Sequence, residues 1–245
     1  MKVLITGANG FIGRNLESHL SSLNIDIVSF THDMSVKDIP FILNDIDVVF
    51  HIAGVNRPER EMDFTLGNVD LTKKLCDGIA LTGRKIPVLF TSSVQALLNN
   101  SYGLSKMEAE NLLKSLQKDT GSPVYIYRLP NVFGKWSKPN YNSVVATFCY
   151  NIANNLPIKI NNKYSLIELV YIDDVINDFV QVLRSFSPGL YYRDISPIYR
   201  LSVGELADKI HLLKSNYHTI KTDKKNIQFE NKLYLTFLSY MSSND

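Results

Sequence analysis

The sequence predicts an α/β protein in which a parallel sheet is covered by helices. Three observations lead there. Short apolar segments ending in small residues recur along the first half of the chain: "KVLITG", "DVVFHIAG" and "PVLFTSS". They are apolar on both faces, as strands of a covered parallel sheet must be. Stretches of helical period separate them, which is the alternation of a parallel α/β fold. Finally, a glycine cluster, "TGANGFIG", joins the first strand to the first helix.

The elements follow in order. "KVLITG" is a first buried strand rich in β-branched residues. In "FIGRNLESHLSSL", Phe11, Ile12, Leu16, Leu20 and Leu23 recur at helical spacing. "IDIVSF" (25–30) is a second strand. Residues 31–46 leave room for one short helix and little else, so the sheet edge should be trimmed there. "DVVFHIAG" (47–54), "PVLFTSS" (87–93) and "PVYIYRLPN" (123–131) are further strands, with helices at about 64–82 and 101–119 between them. Beyond residue 131 the pattern loosens. "KWSKPNYNS" reads as a loop, 143–156 as a helix, "SLIELVYI" as a strand and "DDVINDFVQVLRSF" as a helix. "SVGELADKIHLLK" opens a helix with Ser202 and Glu205 in the Ser-x-x-Glu pattern of a capping box.

Bulk properties narrow the function classes. With 45% hydrophobic and 20% charged residues, the chain has the balance of a globular protein with a core. A net charge of +2 without charge blocks gives no footprint for nucleic acid or an anionic membrane. No apolar stretch approaches the roughly 18 residues that span a bilayer, and "MKVLITG" is not a signal peptide. Cys76 and Cys149 read as buried free thiols of a reducing compartment. The expected location is the cytoplasm. The histidines show no metal-ligand spacing, so no metal site is expected, and His51 reads as a packed strand-end residue.

The glycines carry the first functional signal. Gly7, Gly10 and Gly13 lie directly after a strand and run into a helix, the context that makes such a pattern informative. Gly7 allows a tight turn, Gly10 the approach of a pyrophosphate, and Gly13 close packing of helix on strand. The helix start, with Phe11 and Ile12, offers free N–H groups and the positive end of a dipole. A Rossmann-like, doubly wound sheet holding a dinucleotide follows. Arg14 and His32 would suit a 2′-phosphate and Asp33 a 2′-hydroxyl. The reading favours NADPH, with NADH as the alternative.

The second signal is a tyrosine four residues ahead of a lysine. Two such pairs occur, Tyr102–Lys106 and Tyr217–Lys221, so the spacing alone decides nothing. Only Tyr102–Lys106 follows a strand ending in serine, at Ser93; the other pair reads as a solvated surface pair. On a helix Tyr102 and Lys106 share a face. The ammonium would stabilise a phenolate and lower the tyrosine pKa toward a useful range.

Across nearly its whole length the chain resembles the extended short-chain dehydrogenase/reductase family. The matching features are "TGANGFIG", "HIAG", Asn68 in "GNVDLTKKL", "TSS", "YGLSK", "RLPNVFG" and "VYIDDV". The resemblance implies a nicotinamide cofactor and a catalytic set acting commonly on nucleotide-linked sugars. By position, Ser93 orients the substrate oxygen, Tyr102 is the general acid/base, and Lys106 holds the nicotinamide ribose and tunes Tyr102. Ala53, Gly54, Asn68 and Pro130 join the glycine turn on the cofactor side. Asn131 would contact the sugar nucleotide, with Arg57, Gln95, Lys135 and Tyr141 as further substrate-side candidates. Ser93 and Tyr102 are only nine residues apart, shorter than in most members, so the loop over the site is cut down.

Two departures bear on the reaction. Sugar 4,6-dehydratases of this family carry an Asp-Glu pair after the serine, where this chain has Val94 and Gln95. Members that epimerise and then reduce use an extra cysteine and a downstream histidine, roughly where Val94 and Ser143 stand. "AGVNRPE", "VYIYRLPNVFGKW", "KPNYNSVVATFCYNIA" and "FLSYMSS" further resemble the reductase part of bifunctional capsular-polysaccharide enzymes, without their metal-binding cupin part. That resemblance implies NADPH-dependent reduction of the C4 ketone of a UDP-linked 2-acetamido-2,6-dideoxy-4-ketohexose, toward UDP-N-acetyl-L-fucosamine. A UDP-sugar 4-epimerase with tightly held NAD and a non-catalytic dinucleotide sensor are the alternatives. The expected organisation is a single domain over 1–245. Residues 1–131 form mainly the dinucleotide core and 132–245 mainly the substrate part, some elements returning to the core; a homodimer stays open.

Overall fold

The computed structural model describes residues 1–215 and 228–241. The pair Tyr217–Lys221 and the end of "FLSYMSS" therefore lie outside the described residues. The chain divides into two compact units, Met1–Leu129 with Ile176–Ile195, and Pro130–Val175 with Ser196–Asp245.

The first unit is built on a parallel sheet. Strands β1 (Lys2–Thr6), β2 (Asp26–Phe30), β3 (Val48–His51), β4 (Val88–Ser93), β5 (Val124–Leu129) and β8 (Leu190–Arg193) lie in the order β2-β1-β3-β4-β5-β8. The chain leaves β1 for the β2 edge and returns on the other side through β3. In such sheets the crevice at that reversal is where ligands bind. Strand β2 is the edge because only a 3₁₀ turn (Val36–Asp38) and α2 (Ile39–Leu43) lie between it and β3, as the short 31–46 interval requires.

Alternate residues of the strands feed two cores. On one face Leu4, Val49, Val88, Phe90, Val124 and Ile126 pack in one cluster with Leu75 and Ile79 of α4 (Leu71–Leu81) and Leu113 of α5 (Ser101–Thr120). On the other, Phe179 of α7 (Ile172–Leu183) lies 5.7 Å from the Phe50 ring and 4.7 Å from Tyr127. The Tyr127 hydroxyl donates to Asp178 at 2.8 Å, which also receives Arg193, so the buried phenol is satisfied. Helix α1 (Phe11–Ser22) buries Leu16 and Leu20. Helix α5 is bounded by an Asn100 side-chain cap on Gly103 N–H at 2.8 Å and by Gly121 in the left-handed conformation at φ 75°.

The second unit holds a three-stranded sheet, β6 (Asn131–Phe133), β7 (Leu166–Tyr171) and β9 (Tyr199–Ser202), in the order β6-β7-β9. Strand β7 runs parallel to β6 and antiparallel to β9. With α6 (Val144–Ala153), α8 (Val203–Ser215) and α9 (Gln228–Leu238) it encloses Phe133, whose ring meets Tyr171 at 5.3 Å and Phe229 at 5.8 Å. Lys232 of α9 donates to both Asp174 oxygens, at 2.9 and 2.7 Å, and to the Tyr199 hydroxyl at 3.0 Å. The capping box forms: Ser202 N–H donates to Glu205 at 2.7 Å and Glu205 N–H to Ser202 Oγ at 3.2 Å.

Three expectations from the sequence are corrected. The strand drawn over 123–131 ends at Leu129, and Asn131 starts β6 in the other sheet. Pro130 lies between them and has no N–H to give a ladder. The helix drawn over 64–82 is α3 (Met62–Phe64), a π-helical stretch (Thr65–Asp70) and α4. The sequence shows no sign of strands β8 and β9 or helix α9, because β8 and β9 are short, part-exposed and carry an arginine each, unlike the fully buried β3, and α9 follows an interval of no clear period.

Phe179, 1% exposed between Phe50 and Tyr127, anchors α7 to the parallel sheet. Phe179→Ala should lower the free energy of unfolding by about 3–5 kcal/mol, read by urea denaturation. A loss under about 1 kcal/mol would show that α7 is not packed on this face.

Candidate active site

The glycine turn is shaped by close approaches. Gly7 has φ 73° and donates its N–H to Phe30 at 3.0 Å, and an added Cβ would lie 2.7 Å from Ala53 Cα. A Cβ at Gly13 would lie 2.3 Å from the Gly7 oxygen and 2.8 Å from Ala8 Cα, so helix and turn touch at backbone level. Gly10 differs. It is the N-cap of α1, without a side-chain cap, and a Cβ there would meet only the Gly7 oxygen, at 3.2 Å. The surface above Gly10, Phe11 and Ile12 thus presents first-turn amides to an open side, which fits a dinucleotide pyrophosphate. Arg14, on the first turn of α1, is exposed; its N–H closes on Gly10 at 2.9 Å. His32 lies just past β2 and pairs with Asp33 at 3.0 Å, both well exposed.

Behind the turn a buried polar chain fixes the end of β3. Thr72 Oγ1 donates to the Asn68 carbonyl at 2.5 Å and so accepts from His51 Nε2 at 2.7 Å. His51 Nδ1 then accepts from Thr6 Oγ1 at 2.8 Å, and Thr6 Oγ1 accepts the N–H groups of Ile52 and Ala53 at 3.2 Å. Burial and then the Lys106 charge push the His51 pKa down to about 3, so the ring is neutral and structural.

Asn68 sits in the π-helical stretch and is buried. Its Oδ1 accepts Val55 N–H at 2.7 Å, and its Nδ2 donates to the Val55 carbonyl at 3.0 Å and to Ser105 Oγ at 2.9 Å. Ser105 Oγ in turn donates to the Tyr102 carbonyl at 2.8 Å. A Cβ on Gly54 would lie 3.1 Å from Asn68 Oδ1 and 3.2 Å from Lys106 Nζ, which places the ammonium beside the β3 end.

Ser93 closes β4 and caps the 3₁₀ turn Val94–Leu97, its Oγ accepting Gln95 N–H at 3.1 Å. Its side chain also acts on the Tyr102 phenol, favouring the phenolate. The Tyr102 ring lies 5.8 Å from Phe64. Lys106, 3% exposed, sits over the Phe90 ring at 4.6 Å. Helix α5 comes this close because Gly103 has no side chain: a Cβ there would lie 2.1 Å from the Gln95 carbonyl oxygen and 2.6 Å from that of Leu98.

The electrostatics correct one expectation. Burial raises the Tyr102 pKa, opposed by the Ser93 hydrogen bond; the expected lowering by Lys106 is not what dominates. Burial lowers the Lys106 pKa to about 8, opposed by the charge of Glu110. Both shifts favour the neutral form, as desolvation requires.

Ser93, Tyr102, Lys106, Asn68, Gly54, Ala53 and the glycine turn all belong to the first unit. Arg57 and Gln95 belong to it too and are exposed. Pro130, Asn131, Lys135 and Tyr141 belong to the second. There Asn131 Nδ2 donates to the Glu168 carbonyl at 3.2 Å, Lys135 lies over Trp136 at 4.5 Å and Lys138 over Tyr141 at 5.4 Å. The sequence reading missed Gly103, the Thr6–His51–Thr72 chain and the buried Glu110. Glu110 had a signal: it stands one turn past Lys106 on the same helix face, where the period calls for an apolar residue.

Among the described residues no group of three metal-ligating side chains occurs, and no helix is long and apolar enough to cross a membrane. The family model described as "NAD dependent epimerase/dehydratase family" matches residues 3–195. A UDP-2-acetamido-2,6-beta-L-arabino-hexul-4-ose reductase of Pseudomonas aeruginosa is 48% identical over 242 residues, 98% of this chain and 65% of the relative. This chain thus spans just under two thirds of that relative's length. The crystal structure of the capsular polysaccharide assembling protein CapF from Staphylococcus aureus superposes with TM-score 0.89 at 37% identity, over 100% of this chain and 67% of that one. The UDP-glucuronic acid 4-epimerase of Bacillus cereus, solved with NAD, shares the fold at TM-score 0.82 and 18% identity, over 98% of both chains. With its glycine turn at the sheet reversal and Ser93, Tyr102 and Lys106 beside it, the chain belongs to the NAD dependent epimerase/dehydratase family.

Proposed function

We infer that this chain reduces the C4 ketone of a UDP-linked 2-acetamido-2,6-dideoxy-4-ketohexose with NADPH, in the making of a surface-polysaccharide sugar. One observation carries the reading. In a chain 48% identical to a reductase of a UDP-linked 4-ulose, Tyr102 feels the Ser93 side chain at the end of β4 and shares a helix face with a buried Lys106. A sensor that only bound a dinucleotide would have no use for that set.

The turn at Gly7, Gly10 and Gly13 would hold the cofactor pyrophosphate, Gly54 and Ala53 would border the nicotinamide end, and Lys106 would hold its ribose. When bound, that cofactor supplies a hydride. The residues of the chain supply the rest. Ser93 Oγ orients the ketone oxygen, and Tyr102, kept protonated by burial, donates its proton to that oxygen as the alcohol forms. A raised tyrosine pKa suits reduction, because the acid form is the one required. The Lys106 ammonium then stabilises the phenolate left behind. Asn131, Arg57, Gln95, Lys135 and Tyr141 are proposed for the sugar-nucleotide side.

Tyr102→Phe should leave cofactor affinity nearly unchanged and lower kcat by about 10²- to 10⁴-fold with the 4-ketosugar. A variant within a few-fold of the parent would remove Tyr102 from proton transfer. The rate should also fall on the alkaline side as the pH passes about 8, where the buried Lys106 loses its charge. A kcat unchanged to about pH 10 would exclude that cation from the step.

The preference for NADPH rests on Arg14 and His32. Replacing both by alanine should weaken NADPH binding by about 1–3 kcal/mol, as expected on losing charge-assisted hydrogen bonds to a 2′-phosphate. NADH binding, compared by isothermal titration calorimetry, should barely move. Equal losses would assign the two residues to another part of the molecule. A UDP-sugar 4-epimerase, by contrast, would retain NAD through purification, and nucleotide released on denaturing the purified protein would reveal it.

A further inference from the structure

The geometry points to Glu110 as a positioning residue of this site, one that holds α5 in register against the sheet and keeps Lys106 cationic. This inference rests on the proposed role of Lys106 as a cation beside the cofactor. Tyr102, Lys106 and Glu110 follow one another at four-residue intervals, so they line one face of α5. Glu110 has no exposed surface, yet it is a carboxylate. It is satisfied by three strands at once. Ser92 Oγ of β4 donates to Oε1 at 2.5 Å, and Arg128 of β5 donates to both oxygens, at 3.0 and 2.7 Å. The Tyr192 hydroxyl of β8 donates to Oε2 at 3.0 Å. The Arg128 guanidinium also lies over the Tyr192 ring at 4.6 Å.

This network is placed where it acts on the catalytic set. Ser92 pairs with Arg128 across the β4–β5 ladder, and the next residue along β4 is Ser93. Glu110 therefore pins the helix that carries Tyr102 to the strand that carries Ser93, through the residue next to Ser93. Rotation or sliding of α5 would break four hydrogen bonds to a buried charge, a costly loss.

The charge matters as well as the tether. The groups facing Lys106 are His51 on β3, the uncharged Phe90 on β4, Asn68 beside β3, and Tyr102 and Glu110 on its own helix. His51 is neutral above about pH 3 and Tyr102 stays protonated. Among the described residues, Arg128 pairs with Glu110, and Lys114, one helical turn on, lies 6.0 Å from the Tyr192 ring. Among the described residues facing Lys106, Glu110 is the anion near neutral pH. It favours the ammonium that burial disfavours.

The test compares Glu110→Gln with Arg128→Gln. Each breaks the same ion pair, but they leave opposite charges behind. NADPH affinity is measured by its fluorescence from about pH 6.5 to about pH 9.5, so the readout is cofactor binding and not turnover. In the parent, affinity should decline as Lys106 loses its proton near pH 8. In Glu110→Gln the decline should move to lower pH by about half a unit or more, and in Arg128→Gln to higher pH. A merely structural role would weaken binding in both variants without moving either profile. Profiles that stay fixed, or that move in the same direction, overturn the proposal. Should Glu110→Gln fail to fold, Arg128→Gln decides: an upward shift supports it, and no shift or a downward one overturns it. If the ketosugar proves to be the wrong substrate this result stands, because no sugar enters the measurement.

Discussion

The Lys106 ammonium is 3% exposed, wedged between helix α5 and the ends of β3 and β4, and the site is arranged around that burial. Taking an ammonium out of water costs several kcal/mol unless other groups replace its hydration. The replacements are specific. The Phe90 ring face lies beneath it at 4.6 Å, and Glu110 stands one turn away. Gly54 is small because any Cβ there would crowd Nζ at 3.2 Å. Asn68 must stand clear of the same space, and both its amide groups are held by the Val55 backbone and Ser105. A π-helical stretch, rare in proteins and common at functional sites, is what carries Asn68 between α3 and α4.

The same burial acts on Tyr102 and Lys106 with opposite consequences. It keeps the phenol protonated and brings the ammonium close to titration, since each is driven toward its neutral form. An acid and a cation side by side are useful only while the second survives that pressure. Glu110 resists it, and the three strand-borne partners hold that carboxylate in place, which gives a mechanical tether an electrostatic consequence. The Gly103 contact with the Gln95 and Leu98 carbonyls serves the same end, since it lets α5 lie low enough for Tyr102 to reach Ser93.

Much of this was legible in the sequence, and the rest was not for identifiable reasons. The parallel strands announced themselves because residues buried on both faces are apolar throughout. The glycine turn was legible because close backbone approach leaves no other residue. Ser93, Tyr102 and Lys106 needed the context of a strand end and a helix face, since a second tyrosine–lysine spacing occurs elsewhere. The direction of the tyrosine pKa was misread: sequence gives neighbours but not depth. The break at Pro130 was written in the chain, yet strand propensity on both sides masked it. Strands β8 and β9 are short and part-exposed, so they lack the continuous apolar run that marked the equally short β3. Glu110 was passed over because a glutamate on a helix is ordinarily solvated, and only the strands opposite reveal that it is not.

The triad does not by itself choose among the reactions of this fold, because relatives named as reductases, dehydratases and epimerases all match the chain. On the proposed reading the choice falls to what surrounds the ketone oxygen. Beyond Ser93 the chain makes one tight 3₁₀ turn, and its exposed side chains are Val94, Gln95 and Leu97. None of these can carry a proton. Elimination of water from a sugar needs an acid and a base on neighbouring carbons in addition to the group at the carbonyl oxygen. On the proposed reading, Tyr102 beside Ser93 directs proton transfer on this side of the site to one oxygen. Hydride transfer with protonation of that oxygen is then the step that the proposed reduction asks of this arrangement.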